Sequence, residues 1–424
     1  MHSTRLQVVS FLLHRRSRTA SIVLSAAALF CASLAGCGVG ALPIAHTAIP
    51  VAPAPTSTTT TTTASGSTGS SGSTGSIGSS GSTGSTSSSA SSSTVNVSPA
   101  QQAAIGWTTN FGDSITAGWG STAPQLAYAA LLDTAIAGPN ANLSRAGDQA
   151  ADMARLWVYP NAAPALGGAQ LFTVMIGTND AYVCGGSDGC IANWYQSLAA
   201  SLAWLAVPSA DKVLGNSIAQ RSGSWTPDLK AGIATTAAGA TLSFPVNQTQ
   251  QGRSLLVAYR VFDTGAGGGA ATLSVNGQPV ATLSATVTTG QAIDTKNGTS
   301  DTIFLASVPL GEVGQYTVTL TTTMPGSFSL QWAGISSGNY ATTLAAPRVL
   351  IGQITDTGSA ALNATVDLYN AQLTQLVAAL TAEGLNIRIV PTGNVLNPGT
   401  DFSDELHPND AGHLLLAQTF AASL

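Results

Sequence analysis

No Asp, Glu, Lys or Arg occurs between Arg18 and Asp113, and this long uncharged run confines whatever folds to the residues beyond it. Inside the run, 36 of the 39 residues from Thr56 to Thr94 are Ser, Thr or Gly, the exceptions being Ala64, Ile77 and Ala90. Such a segment has too little apolar surface to offset the entropy of ordering its backbone, so it reads as a flexible coil. Coil statistics give the stretch from Cys37 to Ile105 a span of about 40–50 Å, enough to hold a globule clear of a surface. Charge beyond the run excludes one class of partner. Four of the 14 basic residues lie in the first 18 positions, which leaves 10 basic residues against 19 acidic in the remainder. A chain with that acidic excess lacks the basic surface that displaces counterions from phosphates, which rules against a nucleic-acid binder. The single long apolar stretch is N-terminal, which rules against a multi-span membrane protein.

Residues 1–36 read as an export signal, with Arg5, Arg15, Arg16 and Arg18 ahead of an apolar run from Ala20 to Ala35. The run ends in Leu34-Ala35-Gly36-Cys37, which resembles the lipobox of bacterial lipoproteins. That resemblance implies lipidation of Cys37, and Gly38 after it implies an outer-membrane destination in a double-membraned cell. Ordinary cleavage and an uncleaved anchor are the alternatives. Residues 37–104 then form the tether. Two further cysteines, Cys184 and Cys190, close the loop Cys-Gly-Gly-Ser-Asp-Gly-Cys. In an exported chain a disulfide is expected there, worth about 2 kcal/mol by loop closure. Nothing nearby supplies the other ligands a metal would need.

From 105 to 210, and again from 346 to 424, short apolar runs alternate with helical periodicity, the pattern of a parallel sheet covered on both faces. Strands are expected at Trp107–Phe111, Leu171–Ile176, Arg348–Ile354 and Asn386–Val390. Helices are expected at Pro124–Ile136, Asn193–Leu205, within Ser359–Glu383, and at Asp410–Ser423 with Asn409 as N-cap. The stretch 211–345 differs. Seven short strands are expected there, at Ala240–Val246, Ser254–Phe262, Ala271–Val275, Val280–Ser284, Thr302–Val308, Gln315–Thr322 and Phe328–Ala333. Asn276-Gly277 marks a two-residue hairpin between two of them. An all-β sandwich or jelly roll therefore interrupts an α/β domain.

Three clusters carry the chemistry. Gly112-Asp113-Ser114-Ile115-Thr116 follows the first strand and exposes a hydroxyl at the carboxyl edge of the sheet, where α/β sites form. Gly177-Thr178-Asn179-Asp180 follows the buried strand, and its Asn can donate an amide to a developing oxyanion. Asp404-Glu405-Leu406-His407-Pro408 precedes the last helix and pairs a histidine base with a carboxylate that can orient it. Of five histidines, only His407 and His413 lie beyond the leader and tether, and His413 sits within a helix, in a packing or surface position. So few histidines also argue against a zinc hydrolase.

Taken in order, these clusters resemble the blocks of the SGNH (GDSL-type) hydrolases. The resemblance implies a flavodoxin-like three-layer α/β/α fold and ester hydrolysis without a cofactor. It makes Ser114 the nucleophile, His407 its base and Asp404 the orienting acid. The oxyanion hole would comprise Gly147, from Asn142-Leu143-Ser144-Arg145-Ala146-Gly147, with Asn179 and the Ser114 N–H. The resemblance covers under half the chain, and the β insertion between the third and last blocks departs from it. Sandwiches on exported hydrolases often bind carbohydrate, with Trp225 and Trp332 or Tyr340 as candidate stacking rings; the alternative places Trp332 in the core and Trp225 as a cap. A further alternative is that the insertion walls the active site. The expected substrate is a short acyl ester, such as acetyl, on polysaccharide or cell-wall glycan, taken by a monomer that meets the membrane only through its lipid. Lipase, lysophospholipase and thioesterase readings stay open, as does a non-catalytic surface adhesion or carbohydrate-binding protein on a hydrolase fold.

Overall fold

The computed structural model of the protein describes residues 94–161, 170–340 and 348–424, all within one compact unit. The expected signal segment, Cys37 and most of the tether lie outside the described residues. The folded unit begins earlier than 105. Val95 and Val97 pack against the hydrophobic core, and Ser98 caps helix α1 (Pro99–Ala103) in a reciprocal pair with Gln101. The valines supply apolar surface that the Ser/Thr/Gly run lacks, and Ser-Pro-x-Gln is a capping-box start, so the tether boundary at 104 moves back to about 94.

The α/β half runs β1 (Trp107–Gly112), α2 (Ser114–Ala117), α3 (Tyr128–Ile136) and β2 (Asn140–Ser144). It continues through α4 (Ala150–Asp152), a π turn at Met153–Val158, α5 (Tyr159–Asn161), β3 (Gln170–Met175) and α6 (Asp188–Ala206). The insertion supplies β4 (Lys212–Leu214), β5 (Gln220–Ser222), β6 (Thr226–Asp228), β7 (Gly232–Thr235), β8 (Thr241–Gln248), β9 (Ser254–Phe262), β10 (Ala270–Val275) and β11 (Gln278–Ser284). It ends with β12 (Asp301–Pro309), β13 (Gly314–Met324) and β14 (Phe328–Gly334). The α/β half then resumes with β15 (Arg348–Gly352), α7 (Ala360–Ala382), β16 (Ile387–Val390) and α8 (Asp410–Ala422).

Five parallel strands form the host sheet in the order β2-β1-β3-β15-β16, the flavodoxin-like arrangement. Successive residues face opposite layers. Val349 and Ile351 join Leu198 and Leu373, from α6 and α7, in one core, while Leu350 joins Leu132 and Phe420, from α3 and α8, in the other. β3 and β15 are buried along their whole length, as central parallel strands must be. β2 has no strand signal in its sequence, because Asn-Ala-Asn-Leu-Ser is a poor strand former; pairing with β1 makes it a strand.

The insertion is a two-sheet sandwich, β11-β10-β13-β8-β5 against β12-β9-β14-β7-β6, with β4 added to β14. All seven expected strands are present, and Asn276-Gly277 turns between β10 and β11. The four short strands β4 to β7 carry no signal in the sequence, since three or four residues are too few to show alternation. The sandwich is not freestanding. Along β9, Leu255 and Val257 face the sandwich core, while Leu256 and Ala258 join Leu198 and Leu202 of α6. α6 is thus wedged between the host sheet and the sandwich, and most of its length from Cys190 onward is buried. Trp332 is fully buried at this junction and donates from Nε1 to the Tyr159 hydroxyl at 3.1 Å, which makes it core. Trp225 is half-buried against the sandwich core, and the Tyr340 hydroxyl is hydrogen-bonded to Asp211 at 2.5 Å. No helix among the described residues is long and apolar enough to cross a membrane.

Candidate active site

β1 has β2 on one side and β3 on the other, so the chain reverses its direction across the sheet at the carboxyl end of β1, where crevices form in such folds. Ser114 sits there, as the first residue of α2. Asp113 caps that helix by accepting from the Ile115 N–H at 3.0 Å. Gly112 is required by close approach: a Cβ there would lie 2.1 Å from Thr116 Oγ1 and 2.3 Å from the Met175 carbonyl of β3. The serine side chain is therefore aimed by backbone packed too tightly for any larger residue.

His407 and Asp404 come from the loop between β16 and α8. That loop is a narrow turn, closed by Ser403 N to His407 O and Asn409 N to Asp401 O, each at 2.9 Å. Asn409 caps α8 through the N–H groups of Ala411 and Gly412. His407 Nδ1 lies 2.8 Å and 3.0 Å from the two Asp404 carboxylate oxygens, and Nε2 lies 3.0 Å from Ser114 Oγ. A carboxylate only accepts, so Nδ1 donates and Nε2 is left facing the serine hydroxyl as the basic nitrogen. Asp404 also accepts from the backbone N–H groups of Leu406 and His407, both at 2.8 Å. Partial burial pushes its carboxyl up, but the hydrogen bonds from His407 and the two N–H groups outweigh it and hold the group below its ordinary value.

The remaining expected residues gather on the same edge. Arg145 N–H donates to the Gly112 carbonyl at 3.2 Å, which ties the Gly147 turn to the serine turn. Gly147 adopts φ +82°. Asn179 Nδ2 donates to the Asp148 carbonyl at 3.0 Å, and the Ala150 N–H donates to the Asp180 carboxylate at 3.1 Å. The turns after β1, β2 and β3 are thereby cross-linked into one surface. Direct bonds join Ser114, His407 and Asp404; Gly147 and Asn179 are joined to each other through Asp148. The disulfide Cys184–Cys190 forms with a Cα separation of 5.7 Å and staples the turn after Asn179 to the start of α6.

Four features were not legible in the sequence. Trp119 is 57% exposed, and its ring centre lies 5.6 Å from that of His407. His413, fully buried, holds the Trp119 carbonyl through Nε2 at 3.0 Å while its Nδ1 accepts from the Tyr128 N–H. Burial keeps the His413 ring below its ordinary pKa, consistent with a neutral ring that donates on one side and accepts on the other. Beneath the site lie buried carboxylates. Burial pushes Asp113 up to about 7, with Asp148 adding to the shift, and pushes Asp148 up to about 6, with Asp152 adding. Asp180 is driven well above its ordinary value, also by burial first. The fourth feature is Asn297 of the insertion, whose Nδ2 donates to Asp148 Oδ1 at 2.6 Å. Among the described residues, no cluster of three or more His, Cys, Asp or Glu is arranged to hold a metal ion.

Residues 111–245 match the family model described as GDSL-like lipase/acylhydrolase, a span that holds Ser114, Gly147 and Asn179 and ends before Asp404 and His407. No curated protein matches the chain. Among solved structures, it is similar to a lipolytic G-D-S-L family protein from Veillonella parvula, at 14% identity and TM-score 0.35 over 74% of this chain and 94% of that one. It is also similar to a two-domain esterase active on acetylated mannans, at 12% identity and TM-score 0.30 over 55% of this chain and 91% of that one. A carbohydrate-binding module solved with calcium and xylotriose overlaps 29% of this chain and 96% of its own, at 16% identity and TM-score 0.22. Those structural overlaps are too partial to carry any conclusion about the site. The family match carries one: the chain contains a GDSL-like lipase/acylhydrolase domain and is a hydrolase.

Proposed function

We propose that the protein is a serine esterase that hydrolyses carboxylic esters. The observation that carries this reading is the hydrogen-bonded chain Ser114 Oγ–His407 Nε2, 3.0 Å, and His407 Nδ1–Asp404, 2.8 Å, at the carboxyl edge of a parallel sheet. His407 takes the proton as Ser114 Oγ bonds to the ester carbonyl carbon, and Asp404 stabilises the resulting imidazolium. The N–H groups of Ser114 and Gly147 and the Asn179 amide receive the oxyanion. One Asn179 amide proton is held by Asp148, and the other has no partner among the described residues. Collapse of the intermediate breaks the C–O bond, and His407 returns its proton to the leaving alcohol. Water, activated by the same histidine, then releases the acyl group and restores Ser114.

The substrate we favour is a short acyl ester, such as acetyl, on polysaccharide or cell-wall glycan. The support is the exposed Trp119 ring beside His407, a flat surface suited to the apolar face of a sugar ring. Export and anchoring through Cys37 complete the reading and rest on the leader and the disulfide pair. The test is covalent labelling of the folded protein by a fluorophosphonate probe, with Ser114→Ala as control, together with hydrolysis of p-nitrophenyl esters of increasing chain length. Labelling that depends on Ser114, with fastest turnover of acetyl, is expected. Equal hydrolysis of p-nitrophenyl acetate by a folded Ser114→Ala variant would sink the esterase reading; no labelling would favour the non-catalytic adhesion reading. A preference for long chains would favour a lipase or lysophospholipase.

A further inference from the structure

Three consecutive residues of the β11–β12 loop of the insertion grip the turn that follows β2. Thr295 Oγ1 donates to Asp152 Oδ1 at 2.7 Å, the Lys296 N–H donates to Gln149 Oε1 at 3.1 Å, and Asn297 Nδ2 donates to Asp148 Oδ1 at 2.6 Å and to the Ala146 carbonyl at 3.4 Å. Asn297 thus bonds to both residues that flank Gly147. Asp148 is the centre of the arrangement. Its other carboxylate oxygen accepts from Trp157 Nε1 at 2.6 Å, and its backbone carbonyl accepts from Asn179 Nδ2 at 3.0 Å. The loop itself is held in shape. Thr299 N–H donates to Thr295 Oγ1 at 2.9 Å, and the Asp263 carboxylate at the end of β9 accepts from the N–H groups of Ile293 and Asp294.

We infer that the inserted sandwich is part of the catalytic apparatus, with Asn297 a positioning residue that sets both side donors of the oxyanion hole, Gly147 and Asn179, through Asp148. The inference rests on the esterase reading. Gly147 lies between the two groups Asn297 holds, and Asn179 is aimed by the carbonyl of the residue whose carboxylate Asn297 holds. A shift of that turn therefore moves two oxyanion donors together, while Asn297 makes no hydrogen bond to Ser114, His407 or Asp404. Oxyanion donors act on charge that develops after binding, so the deficit should fall on kcat rather than on KM.

The test uses the full chain with p-nitrophenyl acetate and an exchange of donor and acceptor. Asn297→Asp sets a second carboxylate against Asp148 and should lower kcat by about 10- to 100-fold, less than the roughly 100- to 1000-fold cost of removing an oxyanion donor outright, with KM changed less than about threefold. Asp148→Asn combined with Asn297→Asp restores the bond with its polarity reversed and leaves an amide oxygen for Trp157. Most of the lost kcat should return. Asn297→Ala, which removes the bond without adding charge, should show the same split between kcat and KM. Circular dichroism checks the fold of each variant, and a variant that unfolds is replaced in the comparison by Asn297→Ala. Wild-type kcat in both folded single variants, or a folded double variant no better than Asn297→Asp, would overturn the inference. If the wild type neither hydrolyses the ester nor reacts with a fluorophosphonate, the esterase reading itself has failed and the inference falls with it.

Discussion

Asp404 does two jobs, and they predict how its loss differs from that of its neighbour. It accepts from the His407 ring, and it accepts from two backbone N–H groups that shape the loop. Asp404→Asn keeps an oxygen for the backbone but turns an N–H₂ toward Nδ1, which favours the tautomer that cannot take the serine proton. Loss of kcat by about 10⁴-fold is expected, against about 10⁶-fold for His407→Ala, on the scale set by other triads. Turnover of p-nitrophenyl acetate by both variants settles it, and equal losses would count against this division of roles. Trp119 belongs to the same scale. If its ring receives a sugar, Trp119→Ala raises KM for an acetylated oligosaccharide about tenfold, and more than it raises KM for p-nitrophenyl acetate. Equal effects on the two substrates would remove the sugar-stacking role.

Between elements, buried polar pairs fix how helices and strands meet, and they make stability depend on pH. Asn110 of β1 accepts from Thr173 of β3 at 2.5 Å and donates to Asp133 of α3 at 2.8 Å. Burial pushes Asp133 up to about 6, against a hydrogen bond from Asn110 that pulls it down. A raised carboxyl holds its proton in the folded state at pH values where the unfolded chain has released it. The associated stability is complete below the ordinary carboxylate range near 4 and is lost as pH rises to about 6. Asp133→Asn removes that dependence. Relative to wild type, its urea midpoint should therefore be higher at pH 8 than at pH 4, and an unchanged difference would show that Asp133 does not titrate in this window. The disulfide acts at the same scale. Cys184→Ser with Cys190→Ser should lower stability by about 2 kcal/mol in non-reducing urea titrations, because only the closed loop restricts the unfolded chain.

Across the whole molecule, host and insertion share one core. α6 touches the host sheet and the outer face of β9, β12 and β14, and the carboxylate of Asp301 joins Arg155 of the host at 2.6 Å to Arg260 of the sandwich at 2.5 Å. Domains joined by a cut-through core unfold together. Calorimetry of the full chain should give one transition, and two well-separated transitions would contradict the shared core. A fragment limited to 211–345 would expose Leu256, Ala258, Ile303, Leu305 and Trp332 to water, so sugar binding by the sandwich is best measured on the full chain.

Local pattern was enough for much of this architecture. Alternating helical and extended periodicity marked four of the five host strands and the main helices, because burial against neighbours imposes those periods on the residues themselves. Ser114, Asn179, Asp404 and His407 were legible because each follows or precedes a readable element in a short run of distinctive chemistry. β9 even carried a sign of its double burial, since Ser254–Phe262 is a nearly continuous apolar run where β13 alternates. What pattern could not show was contact between residues far apart in sequence. β2 exists because β1 pairs with it, and Trp119 faces the site because His413, 294 positions later, holds its carbonyl. Asn297 meets Asp148 across 149 positions with no motif at either end. The sequence alone determined the main helices, the longer strands and which side chains can do the chemistry, since these follow from local composition and period. Only the tertiary structure decided that the insertion is fused to the host through α6 and reaches the turn at Gly147, because packing and long-range hydrogen bonds leave no periodic trace in the chain.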